Sequence, residues 1–377
     1  MIDIELFYSS LKKSGVDFFT GVPDSLLKDI CAYITDNTDA DNHIIAANEG
    51  NAISLGIGYH LATKKIPLIY LQNSGLGNAI NPLLSLADPD VYSIPMILLI
   101  GWRGEPNVKD EPQHLKQGKV TTSLLDTIKI PYEILSSDMS AKDTDQIVKK
   151  IVKKSLDLNI PCAILVKKAT FNSYQLKFEK KYDRELYREE VIETIVKEIA
   201  VDDILVSTTG VASRELFEIR EKKSLGHEKD FLTVGGMGHA SQIALGISLF
   251  KKNRTVYCID GDGALLMHMG ALAINANNAG ENFNHIVINN CAHDSVGGQP
   301  TVGDKIDIAS LALSSGYVWA KKVKEKEKLI KLINEMRDIK GPTLLEVQVK
   351  KGFRKDLGRP TINPKENKKS FMKFLEK

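Results

Sequence analysis

The sequence of 377 residues is poor in cysteine and has no marked excess of charge of either sign. Its 4 cysteines, at positions 31, 162, 258 and 291, are widely spaced and form no CxxC pair. We interpret them as reduced thiols in the core of a cytoplasmic protein, since disulfide frameworks belong to oxidising compartments. The formal net charge of +2 gives no reason to expect a nucleic-acid partner.

Long hydrophobic runs and targeting signals are also missing. The first residues, MIDIELFYSSLKKSG, have acidic residues early and only a short apolar run, which is not typical of a secretory signal. No stretch approaches the apolar length that a membrane span needs. We therefore expect no membrane partner.

What the sequence does contain is enough apolar material for two cores, since 43% of its residues are hydrophobic. Apolar strand patterns alternate with helix patterns along most of the chain, which is typical of α/β folds with parallel sheets. We predict two doubly wound parallel-sheet domains. The first covers residues 1–170, the second covers residues 191–377 with the C-terminal tail, and a charged linker, residues 171–190, joins them.

Two strand ends in the second domain carry polar residues. The strand Thr255–Ile259 runs into Gly261-Asp262-Gly263, from which we expect a single helix over Ala264–Ala276. The strand His285–Ile288 runs into Asn289-Asn290. Because parallel strands end at one edge of a sheet, both turns should lie on the same ligand-binding side.

The residue types at this edge suit a cation with a diphosphate. A carboxylate from Asp262, an amide oxygen from the next strand end and a free backbone carbonyl beyond it are ligands that Mg²⁺ accepts. Gly261 and Gly263 allow the backbone to approach a diphosphate, and the following helix offers unpaired N–H groups. The spacing therefore predicts a magnesium diphosphate site.

The pattern GDG, 25 residues and NN resembles the fingerprint of the thiamine-diphosphate enzymes. The resemblance implies Mg²⁺ on Asp262, on Asn290 and on the backbone carbonyl of Ala292. Many family members have Gly where Ala292 stands. It also implies that the two domains share one topology, bind the pyrimidine and the diphosphate respectively, and assemble into a homodimer or larger homo-oligomer with sites at the subunit interface.

The family resemblance extends to a glycine-rich turn in the second domain, GGMG, which by itself would indicate close packing of a helix on a strand. In the family, a bulky residue, here Met237, holds the cofactor in its bent form, and the Gly235 carbonyl accepts a hydrogen bond from the pyrimidine amine. A core gap-filler is the alternative for Met237. Backbone groups of Gly210, Ala264 and Leu265 would hold the diphosphate.

In the first domain, Glu49 opens a helix and has apolar neighbours, Ala46, Ala47, Ala52 and Ile53. Such a setting raises the pKa of a carboxyl group and allows proton exchange near neutrality. The resemblance implies that Glu49 hydrogen-bonds a ring nitrogen of the aminopyrimidine. A favourable contact with the helix dipole is the simpler alternative.

Longer motifs narrow the resemblance to the phosphonopyruvate decarboxylases, with the sulfopyruvate decarboxylases as nearest relatives. It implies decarboxylation of a small 2-oxo acid with a terminal anion, 3-phosphonopyruvate, to phosphonoacetaldehyde and CO₂ in phosphonate biosynthesis. The motifs are TGVPDSLL, ANEGNAISLGIGYHLAT, LQNSGLGNAINPLLSL, GWRGEP, KDEPQH, GGMGHASQIALG and GGQPT.

Substrate residues are expected on the turns of the first domain. Arg103 suits bidentate binding of the substrate anion, with Lys109 or Ser25 as helpers, although a surface ion pair with Glu105 is an alternative.

A proton source is expected on the same turns. Asp24 resembles the acidic residue that related decarboxylases place near the reacting carbon, although a helix cap is its simpler role. His114 is our candidate proton donor, and it lies in a charged segment, residues 107–119, that we predict to be a loop. His293 is a competing candidate.

Three other functions remain open. The chain could be a sulfopyruvate decarboxylase, since phosphonate and sulfonate differ mainly in charge. It could be a catalytically silent thiamine-diphosphate-binding subunit, although Glu49, Asp262 and Asn290 are all present. A plain dinucleotide-binding protein is disfavoured because no GxGxxG follows the first strand.

Overall fold

In a computed structural model, which describes residues 1–377, the chain forms two compact units, Met1–Lys180 and Lys181–Lys377. The boundary falls inside a segment, residues 172–187, that contains no helix or strand. Neither unit has a helix that combines the length and hydrophobicity needed to cross a lipid bilayer.

The first unit is a parallel six-stranded sheet with the order β2-β1-β3-β4-β6-β5. Its strands are β1 (Val16–Gly21), β2 (His43–Ile45), β3 (Ile66–Gln72), β4 (Met96–Gly101), β5 (Tyr132–Leu135) and β6 (Pro161–Val166). Its helices are α1 (Ile4–Lys13), α2 (Lys28–Asn37), α3 (Glu49–Thr63), α4 (Leu76–Pro82), α5 (Pro112–Thr127) and α6 (Ala141–Leu158).

The central strands of this sheet are covered on both faces. Every residue of β4 and β6 is buried, as expected for apolar strands that helices cover from two sides. One face packs in a cluster that includes Phe7, Leu11 and Ile30, and the other in a cluster that includes Ile53 and Leu76. The sequence therefore forms a layered α/β unit because its strand patterns are continuously apolar.

The second unit is also a parallel six-stranded sheet, with the order β8-β7-β9-β10-β12-β11. Its strands are β7 (Ile204–Ser207), β8 (Asp230–Leu232), β9 (Val256–Gly261), β10 (Phe283–Asn289), β11 (Trp319–Val323) and β12 (Thr343–Gln348). Its helices are α7 (Arg188–Glu198), α8 (Val211–Lys223), α9 (Ala240–Phe250), α10 (Asp262–Met267), α11 (Ala271–Asn278), α12 (Ile308–Ser315), α13 (Lys326–Asp338) and α14 (Pro364–Leu375).

Both sheets have the same order when strands are counted within each unit, namely 2-1-3-4-6-5. The structure confirms the predicted fold class of two parallel-sheet α/β units. In this order, successive strands are added first on one side of strand 1 and then on the other, so the topological switch point lies between the first and third strands. Ligands bind at this point in open α/β sheets. The turns after β1, β3, β7 and β9 therefore border the expected binding positions.

Two predicted elements are wrong. The charged segment at residues 107–119 is not a loop throughout, because α5 begins at Pro112, where proline occupies a first-turn position that needs no backbone donor. The expected single helix over Ala264–Ala276 is two helices, α10 and α11. The break lies at His268, whose backbone leaves the helical region with φ −134° and ψ 49°.

Candidate active-site residues at two sheet edges

Asp262 lies at the carboxyl end of β9, where it begins α10 and is only 2% exposed. Its carboxylate accepts a hydrogen bond from the hydroxyl of Thr301. Burial raises the pKa of Asp262 to about 6, because a charged carboxylate loses hydration there. A bound divalent cation would relieve that cost. Thr301 was not predicted, because it lies 39 residues further along the chain.

The two asparagines at the end of β10 have different roles. Asn289 holds the turn, since its Nδ2 donates to the Gly303 carbonyl over 2.7 Å and to Glu346 Oε1 over 2.9 Å. Its Oδ1 accepts from the Cys291 backbone N–H over 3.1 Å. Asn289 thus uses both ends of its amide within the protein.

Asn290 is arranged differently. Its Nδ2 donates to Asp294 Oδ2 over 2.7 Å, and its Oδ1 accepts from the Ala292 backbone N–H over 3.1 Å. An amide oxygen has two lone pairs, so Oδ1 retains acceptor capacity for a cation. Between Asn290 and Ala292, Cys291 has a left-handed backbone with φ +57°, whereas Ala292 does not. Alanine therefore fits this position without strain in its backbone.

The turn is also anchored from outside. Arg184 is buried, and its guanidinium donates to the Asn289 carbonyl over 3.0 Å and to Cys291 Sγ over 2.9 Å. Gly303 lies against the same group, because a Cβ at this residue would come within 2.9 Å of Asp262 Oδ2. The packing thus brings the Asp262 carboxylate beside the turn that begins with Asn289, whose Oδ1 would lie 2.7 Å from the same Cβ. Carboxylate and amide oxygens are donors that fit a hard divalent cation such as Mg²⁺.

Glycines shape the neighbouring turns. Gly210 precedes α8 with φ +91°, a conformation that strongly favours glycine. In the GGMG turn, a Cβ on Gly238 would lie 2.9 Å from the Ala264 carbonyl, so this turn packs closely on α10. Ala264 and Leu265 are buried, whereas Met237 is half-buried. The backbone N–H groups at the start of α8 fit a diphosphate.

His293 is half-buried beside the turn, and burial lowers its pKa to about 4. A Cβ on Gly263 would lie 3.0 Å from His293 Cε1, so the imidazole packs on the GDG backbone.

In the first unit, Glu49 begins α3 and is 6% exposed. The Asn78 side chain donates to Glu49 Oε2 over 2.8 Å. Gly75 lies against the carboxyl group, because a Cβ there would come within 2.6 Å of the Glu49 Cγ. Burial raises the pKa of Glu49, with the bond from Asn78 acting in the opposite direction. The pocket therefore favours a carboxyl group that holds a proton more readily than usual.

Asp24 lies beyond the end of β1 and is 1% exposed. Its Oδ2 accepts from the backbone N–H groups of Leu26 and Leu27 over 2.8 and 3.2 Å, whereas its Oδ1 has no hydrogen-bond partner. Burial raises its pKa to about 6, although the charge of Arg103 acts against this shift. Asp24 supports the turn before α2 but is not the predicted helix cap, because α2 begins after Leu27 and has no side-chain capping bond. Asp24 is also a buried acid.

Arg103 follows β4 and contacts two turns. Its guanidinium makes a bidentate ion pair with Asp110, with Nε donating to Oδ2 over 2.8 Å. Its Nη1 donates to Ser25 Oγ over 2.7 Å. The alternative pairing of Arg103 with Glu105 is wrong, because Glu105 pairs with Lys167 over 2.7 Å. The structure thus joins Arg103 and Ser25, with Asp110 as a partner that was not predicted.

His114 and Lys109 are less closely joined to this group. His114 is half-buried in the first turn of α5, and its backbone packs on Gly104, where a Cβ would lie 2.5 Å from the His114 carbonyl carbon. Lys109 is exposed. The first unit contains the predicted catalytic and substrate residues Glu49, Asp24, Arg103 and His114. The second unit contains the predicted metal and diphosphate residues.

Comparisons with known families match both units. Residues 4–126 match the thiamine pyrophosphate enzyme, N-terminal TPP binding domain. Residues 209–347 match the thiamine pyrophosphate enzyme, C-terminal TPP binding domain. Together the two matches cover more than half of the chain.

Curated relatives match along nearly the whole length. A phosphonopyruvate decarboxylase of Streptomyces viridochromogenes is 30% identical over 393 aligned residues, covering 100% of this chain and 95% of that protein. A sulfopyruvate decarboxylase of Methanosarcina acetivorans is 27% identical, covering 97% of this chain and 96% of that protein.

A sulfopyruvate decarboxylase of Methanococcus maripaludis matches as two separate subunits. Its alpha subunit is 36% identical over 43% of this chain and 92% of the subunit, and its beta subunit is 37% identical over 35% of this chain and 68% of the subunit.

Proposed function

The chain belongs to the thiamine pyrophosphate enzymes, in the group that includes the phosphonopyruvate decarboxylases, and we propose that it decarboxylates 3-phosphonopyruvate to phosphonoacetaldehyde and CO₂. The observation that carries this proposal is the match to the Streptomyces enzyme over 100% of the chain, in a protein that buries Glu49 and Asp262 at strand ends. The reaction would supply phosphonate biosynthesis.

The cofactor set of the proposal is thiamine diphosphate with Mg²⁺. Asp262, the Asn290 side chain and the Ala292 carbonyl would hold the metal ion, since they offer only oxygen ligands. Backbone groups around Gly210, Gly261, Gly263, Ala264 and Leu265 would hold the diphosphate. When bound, thiamine diphosphate supplies the electron sink that decarboxylation of a 2-oxo acid requires.

Glu49 is assigned to the aminopyrimidine ring. Its raised pKa supports this role, because a carboxyl group that holds its proton more readily than usual can donate a hydrogen bond to a ring nitrogen. Met237 would support the bent cofactor, and the Gly235 carbonyl would accept from the pyrimidine amine. Half-burial of Met237 leaves part of its side chain available for such a contact.

The substrate anion is assigned to Arg103 with Ser25 and Lys109. Arg103 carries five N–H donors, and the bonds to Asp110 and Ser25 use three of them, which leaves donors for a phosphonate or carboxylate. Asp24 and His114 would supply the proton that the product takes up. Asp24 supports this role because burial brings its pKa to about 6, within reach of neutral pH.

A second candidate substrate is sulfopyruvate. It is favoured by the match to the Methanosarcina enzyme, whose 27% identity over 97% of this chain is close to the value for the phosphonopyruvate decarboxylase. The phosphonate group reaches a higher negative charge than the sulfonate group, so the charge of the anion pocket should separate them. A silent cofactor-binding subunit is the remaining alternative. It is considered because the chain also matches the separate alpha and beta subunits of a sulfopyruvate decarboxylase.

We also propose a cytoplasmic homodimer or larger homo-oligomer. The location is supported by four cysteines that are all free and buried. The assembly is supported by the distribution of Glu49 and Asp262 over different units of the chain. Light scattering of the purified protein with and without thiamine diphosphate would give the mass, and a monomer under both conditions would contradict this part.

The deciding experiment measures CO₂ release by the purified protein with thiamine diphosphate and Mg²⁺. Phosphonopyruvate, sulfopyruvate and pyruvate are compared at matched concentrations by their kcat/KM values. We expect a clear preference for phosphonopyruvate. Preference for sulfopyruvate would move the assignment to the second candidate, whereas cofactor binding without turnover of any of the three would favour the silent subunit.

A further inference from the structure

Three buried charged side chains lie directly behind the proposed metal turn, and the inference that follows rests on the proposed Mg²⁺ site. They are Asp294 in the turn, Arg188 at the start of α7 and Glu215 in α8. Their side chains are 6%, 9% and 1% exposed. Groups buried to this degree are costly unless they are paired, so the arrangement requires an explanation.

One oxygen atom connects this group to Asn290. Asp294 Oδ2 accepts from Asn290 Nδ2 over 2.7 Å, from the Gly352 backbone N–H over 3.0 Å and from Arg188 Nη1 over 3.1 Å. Three N–H donors converge on this oxygen, so it serves as the hydrogen-bond acceptor for all three neighbours. The group next to it must therefore present a donor.

Arg188 ties Asp294 to two helices. Its Nε donates to Glu215 Oε2 over 2.8 Å, while its Nη2 donates to Glu215 Oε1 over 3.3 Å. The planar guanidinium fixes the direction of the remaining Nη1 donor, which points at Asp294. Residues from α7, α8 and the turn thus form one rigid group, although Arg188 and Asp294 are 106 positions apart.

An asparagine amide can rotate by half a turn and exchange its NH₂ end for its oxygen end. Only one of these orientations offers an oxygen to a cation, and the other would place two N–H donors beside it. The Asp294 carboxylate can bond the NH₂ end but repels the oxygen end. Burial of Asp294 strengthens this preference, because electrostatic interactions are less screened away from water.

We propose that Asp294 and Arg188 are positioning residues that lock the Asn290 amide with its oxygen turned toward the proposed Mg²⁺ site. Asp294 bonds the NH₂ end, and Arg188, held by Glu215, keeps the Asp294 carboxylate in place. Arg188 is shared by two carboxyl groups, and the formal charges of the three side chains sum to −1, which favours a nearby cation. Outer-shell partners of this kind typically change metal affinity by about 10–100-fold when removed.

The test measures the dissociation constant of Mg²⁺ for metal-free protein in the presence of saturating thiamine diphosphate, by isothermal titration calorimetry. In Asp294→Asn, the new amide can also donate to the Asn290 oxygen, so the wrong orientation becomes accessible. We expect Mg²⁺ to bind about 10–100-fold more weakly. Arg188→Lys, which retains the charge but not the planar fork, should give a smaller loss than Arg188→Met.

A double-mutant comparison separates positioning from a direct or purely structural role. In an Asn290→Ala background no amide remains to be oriented, so adding Asp294→Asn should change Mg²⁺ affinity by less than about twofold. An equal loss in both backgrounds would overturn the proposal and make Asp294 a metal ligand or a scaffold residue. Where the double variant binds Mg²⁺ too weakly, Mn²⁺ binding followed by electron paramagnetic resonance gives the same comparison.

Asp230→Asn is the matched control, because Asp230 forms a buried bidentate pair with Arg220 in the same unit, with both bonds at 2.8 Å. It should lower thermal stability without changing Mg²⁺ affinity. If Asp294→Asn does not fold, the Arg188 series tests the same point. Absence of Mg²⁺ binding in the unmodified protein would contradict the proposed function itself, whereas normal binding in Asp294→Asn and Arg188→Met would contradict only the positioning roles.

Discussion

At the carboxyl ends of the first sheet, two carboxyl groups are buried with few hydrogen-bond partners, whereas at the same ends of the second sheet the polar side chains are held by several. In the first unit, Asp24 Oδ1 has no partner and Glu49 receives one side-chain hydrogen bond, from Asn78. In the second unit, both ends of the Asn289 amide are bonded, and one oxygen of Asp294 accepts three donors.

The difference fits two kinds of chemistry, one at each of two sheets that share the same strand order. A carboxyl group with few partners can gain or lose a proton without rearranging its surroundings, which suits proton transfer. A metal ligand needs a fixed orientation, which additional hydrogen bonds provide. The first edge is therefore suited to handling protons and the second to holding a cation, and substitutions at the two edges should have separable effects.

The largest effect is expected for Asp262→Asn in the second unit. This change removes the charged oxygen ligand of the proposed Mg²⁺ site while keeping the side-chain size. We expect Mg²⁺ affinity to fall by at least about 100-fold, with no measurable turnover at ordinary Mg²⁺ concentrations. Calorimetric titration of Mg²⁺ checks the first result and a CO₂ assay the second. Unchanged Mg²⁺ affinity would remove Asp262 from the site.

Glu49→Gln in the first unit should leave Mg²⁺ and thiamine diphosphate binding nearly intact. Turnover should fall by about 10²–10⁴-fold, because the amide cannot supply the proton that the carboxyl group supplies. Glu133→Gln is a suitable control, since Glu133, which lies on β5, pairs with Lys150 and is not in the proposed site. A variant at position 49 with full activity would contradict the assigned role.

A smaller effect is expected for Gly75→Ala, which moves Glu49 without removing it. The added methyl group would lie 2.6 Å from the Glu49 Cγ, so the carboxyl group must shift. A displacement of about 1 Å at a reacting group can cost about 100-fold in rate, and Mg²⁺ affinity should not change. Gly77→Ala, two residues away in α4, has nothing within 4 Å of the new methyl group and should retain activity.

The smallest effect concerns stability and pH. The pKa of Asp24 is raised from 3.8 to about 6 on folding, so the folded state binds this proton more tightly. The resulting stabilisation is complete below pH 3.8 and is lost as the pH rises through 6. Asp24→Asn removes the buried charge, so its free energy of unfolding should exceed that of the unmodified protein by up to about 3 kcal/mol at pH 8, and by less at pH 4.5.

Denaturant unfolding of the metal-free protein at both pH values measures this difference. Asp17 offers a control of opposite sign, because its pKa is lowered by the hydrogen bond from Lys12 and then by that from Lys65. Asp17→Asn should therefore lose stability at neutral pH, and the loss should fade as the pH falls through the lowered pKa. A pH-independent difference for Asp24→Asn would show that its carboxyl group titrates normally.

Part of the candidate site could be predicted from local pattern. Apolar strands followed by polar or glycine turns place Asp262, Asn290 and Glu49 at strand ends, because a parallel sheet collects these ends at one edge. The same reasoning missed the first half of α5, since the stretch PQHLKQGK has little apolar periodicity. The alternative partner that it offered for Arg103, Glu105, is wrong, because Arg103 pairs with Asp110 in the structure.

The chain by itself determined the alternation of strands and helices, the fold class and the residue types at the strand ends, because hydrophobic periodicity and turn chemistry act over a few neighbouring residues. Only the tertiary structure decided which atoms meet there. Thr301 reaches Asp262, and Arg188 reaches Asp294, across 39 and 106 positions. Such pairings depend on the packing of distant elements, which sets the direction of each side chain and the end of the Asn290 amide that remains for a cation.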